Sequence, residues 1–190
     1  MAEKFKNKFR IPSARLQHWD YASHASYFIT ICTHHHTPFF GEIFNGEMQL
    51  TEIGKLAEAE WLKTQQVRPD MNLELGPFVV MPNHFHAIIT IGENAYNTAI
   101  PGSRDAMHRV STDSMEYKNI FAPQAKNLAS IIRGFKSAVT TAARKIHADF
   151  AWQSRFHDHI IRNDEAYLKI ANYIENNPFT WAEDKFYTSV

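Results

Sequence analysis

The sequence predicts an α+β fold, a ferredoxin-like sandwich in which an antiparallel or mixed sheet carries helices packed on one face. Three observations lead to it. Runs rich in β-branched and aromatic residues, at 27–33, 73–81, 84–91 and 156–162, read as strands. Segments whose apolar residues recur at helical spacing fall between and after them, so the order reads strand, helix, two strands, helix, strand, helix. At 190 residues with 44% hydrophobic content, the chain is long enough to bury a core under such a sheet. A ferredoxin-like core is the nearest small arrangement of these elements.

The first strand, "YFITICT" (Tyr27 to Thr33), ends where "THHHTPFFG" brings polar residues, Pro38 and Gly41. Asn45-Gly46 is a strong two-residue turn signal and predicts a hairpin within "EIFNGEMQL". Thr51 is placed to cap a helix with apolar positions Ile53, Leu56, Ala57 and Trp61, stopping before Pro69. The runs 73–81 and 84–91 join at Pro82-Asn83, as adjacent strands or one strand with a sharp irregularity. From Gly92 to about Pro123 no period is sustained, and a loop of that length is usually functional or disordered. Leu128, Ile131, Ile132, Phe135, Ala138, Ala142 and Ile146 trace one face of a long helix. "FHDHIIR" (Phe156 to Arg162) is the last strand. Asn163 then caps a helix with Tyr167, Ile170, Ala171 and Ile174 on its stripe, ended by Pro178. The expected organisation is one domain over 1–190, with a flexible basic arm at about 1–20 and a loop insertion at about 93–123.

The balance of 20 Lys+Arg against 20 Asp+Glu argues mildly against a nucleic-acid partner, but the charges are unevenly spread. Lys4, Lys6, Lys8, Arg10 and Arg15 meet only Glu3 near the start. Lys126, Arg133, Lys136, Arg144, Lys145, Arg155, Arg162 and Lys169 outnumber the acids of 126–169. Such segments form a phosphate-binding surface if they meet in space, and are otherwise ordinary solvated faces. No apolar run approaches the roughly 18 residues needed to span a membrane, and no secretory segment opens the chain, so a cytoplasmic location is expected. The single cysteine, Cys32, excludes an internal disulfide framework and a multi-cysteine zinc site.

Within "VVMPNHFHAIITI" (Val79 to Ile91), His84 and His86 share one face of a strand while Phe85 points to the other. That geometry lets two imidazoles share a divalent ion, although the spacing alone also describes structural or merely exposed histidines. In "NYIENNP" the last helix places Tyr173 and Asn177 on neighbouring turns of one face, beside its apolar stripe. If that helix packs on the histidine-bearing sheet, Asn177 adds an oxygen ligand and Tyr173 stands near the ion as a nucleophile. A phenol attacks poorly at neutral pH without a polarised electrophile, which suits a phosphodiester held by a cation. By helix pattern alone, Tyr173 is equally a half-buried tyrosine with a bonded hydroxyl, and Asn177 a helix-terminating residue. Tyr167 is the rival nucleophile, but four residues on it meets Ala171, which offers no ligand.

These residues, with "SIIRGFKSAVT", "FHDHIIRNDEAYLKIANYIENNP" and "YFITICTHHHTPFFGEI", resemble the single-tyrosine HUH transposases, and more narrowly the REP-associated tyrosine transposases. The resemblance runs from about residue 10 to about residue 185. It implies a ferredoxin-like fold in which His84 and His86 hold Mg²⁺ or Mn²⁺, with Asn177 as third ligand and Tyr173 as catalytic residue. It implies attack on single-stranded DNA beside a hairpin of an imperfect palindrome, giving a 5′-phosphotyrosine link and a free 3′-hydroxyl. Lys6, Lys8, Arg10, Arg15, Arg133, Lys136, Arg144 and Arg162 are the candidates for DNA contact. Relatives of this kind are monomers or homodimers, and the sequence leaves both open.

The remaining histidines are weaker signals. His34, His35 and His36 are contiguous and cannot all face one ion in an extended chain. His157 and His159 repeat the spacing on another strand and form a possible secondary site. Two alternatives accompany the nicking and joining enzyme: a palindrome-binding protein without turnover, and a hydrolytic zinc enzyme. The latter lacks a visible third strong ligand or an H-E-x-x-H pattern.

Overall fold

The computed structural model describes residues 4–5, 8–9, 16, 19–98 and 125–187. In chain order the elements are β1 (Lys4–Phe5), β2 (Lys8–Phe9), β3 (Ala25–Cys32), β4 (Gly41–Phe44), β5 (Glu47–Leu50), α1 (Glu52–Leu62), β6 (Leu73–Met81), β7 (His84–Ile91), α2 (Leu128–Ala143), β8 (His157–Ile161) and α3 (Asp164–Asn176). Strands β3, β6, β7 and β8 form one antiparallel sheet in the order β6-β7-β3-β8. With the β1–β2 and β4–β5 hairpins set aside, β3-α1-β6-β7-α2-β8 in this order is the expected ferredoxin-like arrangement, with the first strand between the third and fourth.

The helices divide between the two faces of the sheet. On one face, Tyr27, Ile29, Ile31, Phe85, Ala87, Ile89 and Ile91 join Ile53, Ala57 and Trp61 of α1 and Leu128, Ile131, Ile132, Phe135 and Val139 of α2. Phe85 sits at its centre, its ring centroid 5.0 Å from that of Trp61 and 5.3 Å from that of Phe135. Truncating an aromatic in such a place costs about 3–5 kcal/mol. On the opposite face, Ile88 and Ile161 pack with Ala171 and Ile174 of α3, flanked by Phe28, Val79, Tyr167 and Ile170. Helices on one face is thus correct for α1 and α2, and α3 departs from it. The physical reason is that Ile88, Ile161, Phe28 and Val79 make an apolar patch on the second face, which also needs cover.

The expected local signals are in place. Asn45 and Gly46 both have positive φ in the β4–β5 turn. Thr51 Oγ1 accepts from Gly54 N at 3.1 Å, Asn163 accepts from Ala166 N at 2.8 Å, and Asn127 with Ser130 forms a capping box. Gly54 has a separate reason: a Cβ there would lie 2.2 Å from Phe40 O. The α2 stripe corrects the expected one. It continues from Phe135 through Val139 and Ala143, whereas Ala138 and Ala142 are only half-buried, and Ile146 lies beyond the helix end and is exposed. A four-residue step keeps closest to one side of a helix of 3.6 residues per turn, and it is this row that faces the sheet. Most of the basic arm and most of the 93–123 segment lie outside the described residues. Among the described residues no helix is long and apolar enough to cross a membrane.

Candidate active site

Alternation along β7 sends Phe85 into the α1–α2 core and His84 and His86 to the α3 face, where they are 0% and 1% exposed. Each imidazole is oriented by a neighbour. Asn83 Nδ2 donates to Phe186 O at 2.8 Å, which turns its Oδ1 toward His84 Nδ1 at 2.9 Å. The Nδ1 proton of His84 therefore goes to Asn83, and Nε2 keeps its lone pair. That Nε2 is buried and has no hydrogen-bond partner among the described residues. His86 contacts Thr30 Oγ1 through Nδ1 at 2.8 Å and the Tyr173 hydroxyl through Nε2 at 3.2 Å.

Helix α3 supplies the next two groups, one turn apart. Tyr173 is held edge-on to Phe28, with ring centroids 6.1 Å apart, and 5.3 Å from the His86 ring. Asn177 is buried, its Nδ2 donating to Asp184 Oδ2 at 3.0 Å while its Oδ1 has no hydrogen-bond partner among the described residues. Asp184 also accepts from the Tyr173 hydroxyl at 3.3 Å and, through Oδ1, from Phe186 N at 2.7 Å. Ligand atoms of His84, His86 and Asp184 lie within 4.8 Å of one another. Two lone-pair acceptors buried without a partner among the described residues, beside a carboxylate, suit a divalent cation, so the residues present fit a metal ion. All of these groups come from one chain.

Burial sets the protonation states. It pushes the His84 imidazole down to about 3, against a smaller opposing effect of the neighbouring Asn177 amide, and it lowers His86 well below its ordinary value. Both rings are neutral at pH 7 and available as ligands. Burial, aided by the Asp184 charge, raises the Tyr173 phenol to about 12. A histidine that stays neutral when folded but gains a proton when unfolded loses stability as pH falls from the unfolded value of 6.5 toward the folded one near 3. The metal-free protein is accordingly expected to lose up to about 1.4 kcal/mol per pH unit through His84 across that window, with His86 acting in the same direction. Thermal melts of wild type and a His84→Ala/His86→Ala variant test this: equal pH dependence in the two proteins would contradict it.

The structure brings together His84, His86, Tyr173 and Asn177 as the sequence predicts. The Tyr167 hydroxyl lies instead over β6, where a Cβ at Gly76 would come within 2.7 Å of it. The described cationic candidates do not gather around Tyr173. Lys6, Arg10 and Arg15 lie outside the described residues, and of Lys8 only the backbone is described. Arg133 and Lys136 belong to α2, with Arg144 just past its end, so they fall on the other side of the sheet. The Lys136 ammonium is held by the carbonyls of Gln153 and Arg155, and burial lowers it to about 8. Arg162 is exposed at the end of β8. His34 and His35 are exposed, while His36 stacks on Phe186 with centroids 5.4 Å apart. His157 and His159 are exposed on β8 and project to the face that bears His84.

Asp184, Asn83 and Thr30 join the candidate site through contacts that the sequence reading missed. Asn83 carries a local signal, since it directly precedes the histidine pair, and Thr30 becomes visible once β3 is paired with β7. Asp184 has none. It also removes an objection to a zinc site, because it provides the third strong ligand missing from the sequence motifs. Asn83→Ala is expected to weaken Mn²⁺ binding about 10–100-fold by freeing the His84 ring, measured by titration of free Mn²⁺ in electron paramagnetic resonance.

No family model matches the chain. An uncharacterised protein of Haemophilus influenzae is 36% identical over 176 residues, covering 92% of each chain. Among solved structures, a REP-associated tyrosine transposase bound to a REP hairpin aligns with a TM-score of 0.58 at 20% identity, over 92% of this chain and 77% of that one. The chain belongs to one family with the Haemophilus influenzae protein and shares the α+β fold of the REP-associated tyrosine transposase.

Proposed function

We propose that the protein cleaves and rejoins single-stranded DNA beside a palindromic hairpin, with Tyr173 as the nucleophile. The observation that carries this reading is the meeting of the Tyr173 hydroxyl, 3.2 Å from His86 Nε2, with two buried unpartnered acceptors, His84 Nε2 and Asn177 Oδ1. A nucleophile beside a cation-binding set is the arrangement that metal-assisted phosphoryl transfer needs. Mg²⁺ or Mn²⁺ held by His84, His86 and Asn177 would supply charge neutralisation at the phosphate, which leaves the Asp184 carboxylate to carry a proton. The likeness to a protein bound to a REP hairpin supports such a hairpin as partner.

The chain's own groups account for the remaining steps. The Tyr173 phenol, protonated at pH 7, loses its proton to Asp184 as its oxygen bonds to phosphorus. The bond from phosphorus to the 3′-oxygen breaks, and that oxygen leaves as a hydroxyl after taking a proton from Asp184. The product is a 5′-phosphotyrosine, which conserves the ester so that a 3′-hydroxyl can reverse the step and join strands. Away from this face, Lys136 and Arg144 line a surface cleft of about 330 Å³ with Thr140, Trp152 and Gln153. With Arg133 of the same helix, this cleft is assigned to the hairpin backbone, and Arg162 and the basic arm of Lys6, Lys8, Arg10 and Arg15 are assigned to separate phosphate contacts.

The His84–His86–Asp184 set also suits a hydrolytic zinc ion, which is the one specific observation behind a second reading. The two readings differ in product. A labelled single strand carrying a hairpin and its flanks is incubated with Mg²⁺, Mn²⁺, Zn²⁺ or EDTA. A metal-dependent adduct that survives denaturation supports the tyrosine enzyme; cleavage without any adduct, best in Zn²⁺, overturns it.

A further inference from the structure

We infer that His157 and His159 form a second DNA contact, gripping a phosphate of the strand next to the one presented to Tyr173; this deepens the function proposed above and rests on it. Directly opposed residues of an antiparallel sheet project to the same side. In the β3–β7 ladder Thr30 opposes His86, and in the β3–β8 ladder Thr30 opposes His157. His86, Thr30 and His157 therefore form one row across three strands, and Ile88, Phe28 and His159 form the next. With about 5 Å between opposed Cα atoms, His157 stands about 10 Å from His86.

The surroundings leave the β8 end of these rows accessible, with no acid of β8 on the same face. Helix α3 packs over β6 and β7, so the outer part of the face stays open, with His157 and His159 exposed while Ile161 is covered. Asp158 and Ile160 alternate to the opposite side, where Ile160 joins the α1–α2 core. Between the two histidine pairs lies Phe28, half-buried, stacked on His86 at 5.2 Å and edge-on to Tyr173 at 6.1 Å. It offers a ring for a base while the exposed imidazoles of His157 and His159, on its β8 side, reach the adjacent phosphate. A directly bound cation at this second pair is disfavoured: among the described residues, the cluster with three protein ligands in reach is His84, His86 and Asp184.

The test is fluorescence anisotropy of wild type and a His157→Ala/His159→Ala variant with two labelled oligonucleotides, the hairpin alone and the hairpin with its single-stranded flank. A series of flank oligonucleotides carries a neutral methylphosphonate at one phosphate at a time. The variant is expected to bind the flanked substrate roughly five- to tenfold more weakly and the bare hairpin unchanged. One methylphosphonate position should weaken wild type by a similar factor and leave the variant unaffected, which assigns the contact to that phosphate. Equal flank affinity of variant and wild type overturns the inference, as does a difference that disappears in EDTA, which would place a cation at the pair. Absence of wild-type binding to either oligonucleotide would instead overturn the function on which it rests.

Discussion

Tyr173→Phe is expected to bind the flanked hairpin as wild type does, to form no covalent adduct, and to cleave at least about 10⁴-fold more slowly. The substitution removes one oxygen and little else. The ring is 39% exposed, and its packing against Phe28 and His86 survives. The hydroxyl's two hydrogen bonds, at 3.2 and 3.3 Å, are long and partly solvent-facing, so their loss changes stability by no more than about 1 kcal/mol. The Tyr167 hydroxyl lies over Gly76 on β6, and Tyr187 sits edge-on to Trp181 with centroids 5.5 Å apart. Tyr167→Phe should therefore keep full adduct formation. The measurement is a denaturing gel of labelled strand with each variant; an adduct that persists in Tyr173→Phe would remove Tyr173 from the mechanism.

His84→Ala and His86→Ala are each expected to lower Mn²⁺ affinity by more than about 100-fold, beyond the 10–100-fold typical of losing a group behind a ligand. Adduct formation should fall with it, while binding of the bare hairpin, assigned to cationic groups elsewhere, stays within about twofold. That unchanged binding also reports that each variant is folded. The burial that makes these imidazoles good ligands makes them costly to protonate, so both effects trace to one cause. Mn²⁺ binding that survives both substitutions would transfer the cation away from β7.

Much of the site was legible because its signals are local. A period of two on β7 separates Phe85 from the histidines, and a spacing of four on α3 pairs Tyr173 with Asn177. Thr51, Asn163 and the Asn45-Gly46 turn likewise depend on neighbours a few residues away. What escaped depends on tertiary placement. Asp184 reaches the site because the chain after α3 turns back, its Asp184 N donating to Trp181 O and its Phe186 carbonyl meeting Asn83, about a hundred residues earlier in sequence. Thr30 matters only through the β3–β7 register. The departure on α2 was of another kind, since rows through Ala138 and Val139 both follow helical spacing from Phe135, and only packing against the sheet selects one.

The division of the sheet into two faces has a further consequence for how β7 can change over time. Residues 85, 87, 89 and 91 hold the α1–α2 core, while 84, 86 and 88 serve the α3 face. Substitutions can be accepted at one set without touching the other, so stability and chemistry are free to drift separately. Length is not free in this way. One residue gained or lost at the Pro82-Asn83 turn would turn Phe85 toward Tyr173 and the histidines into the core unless the loop absorbed the slip. The turn is thus where the lineage can least tolerate an insertion, although neither of its two residues is itself a ligand or the nucleophile.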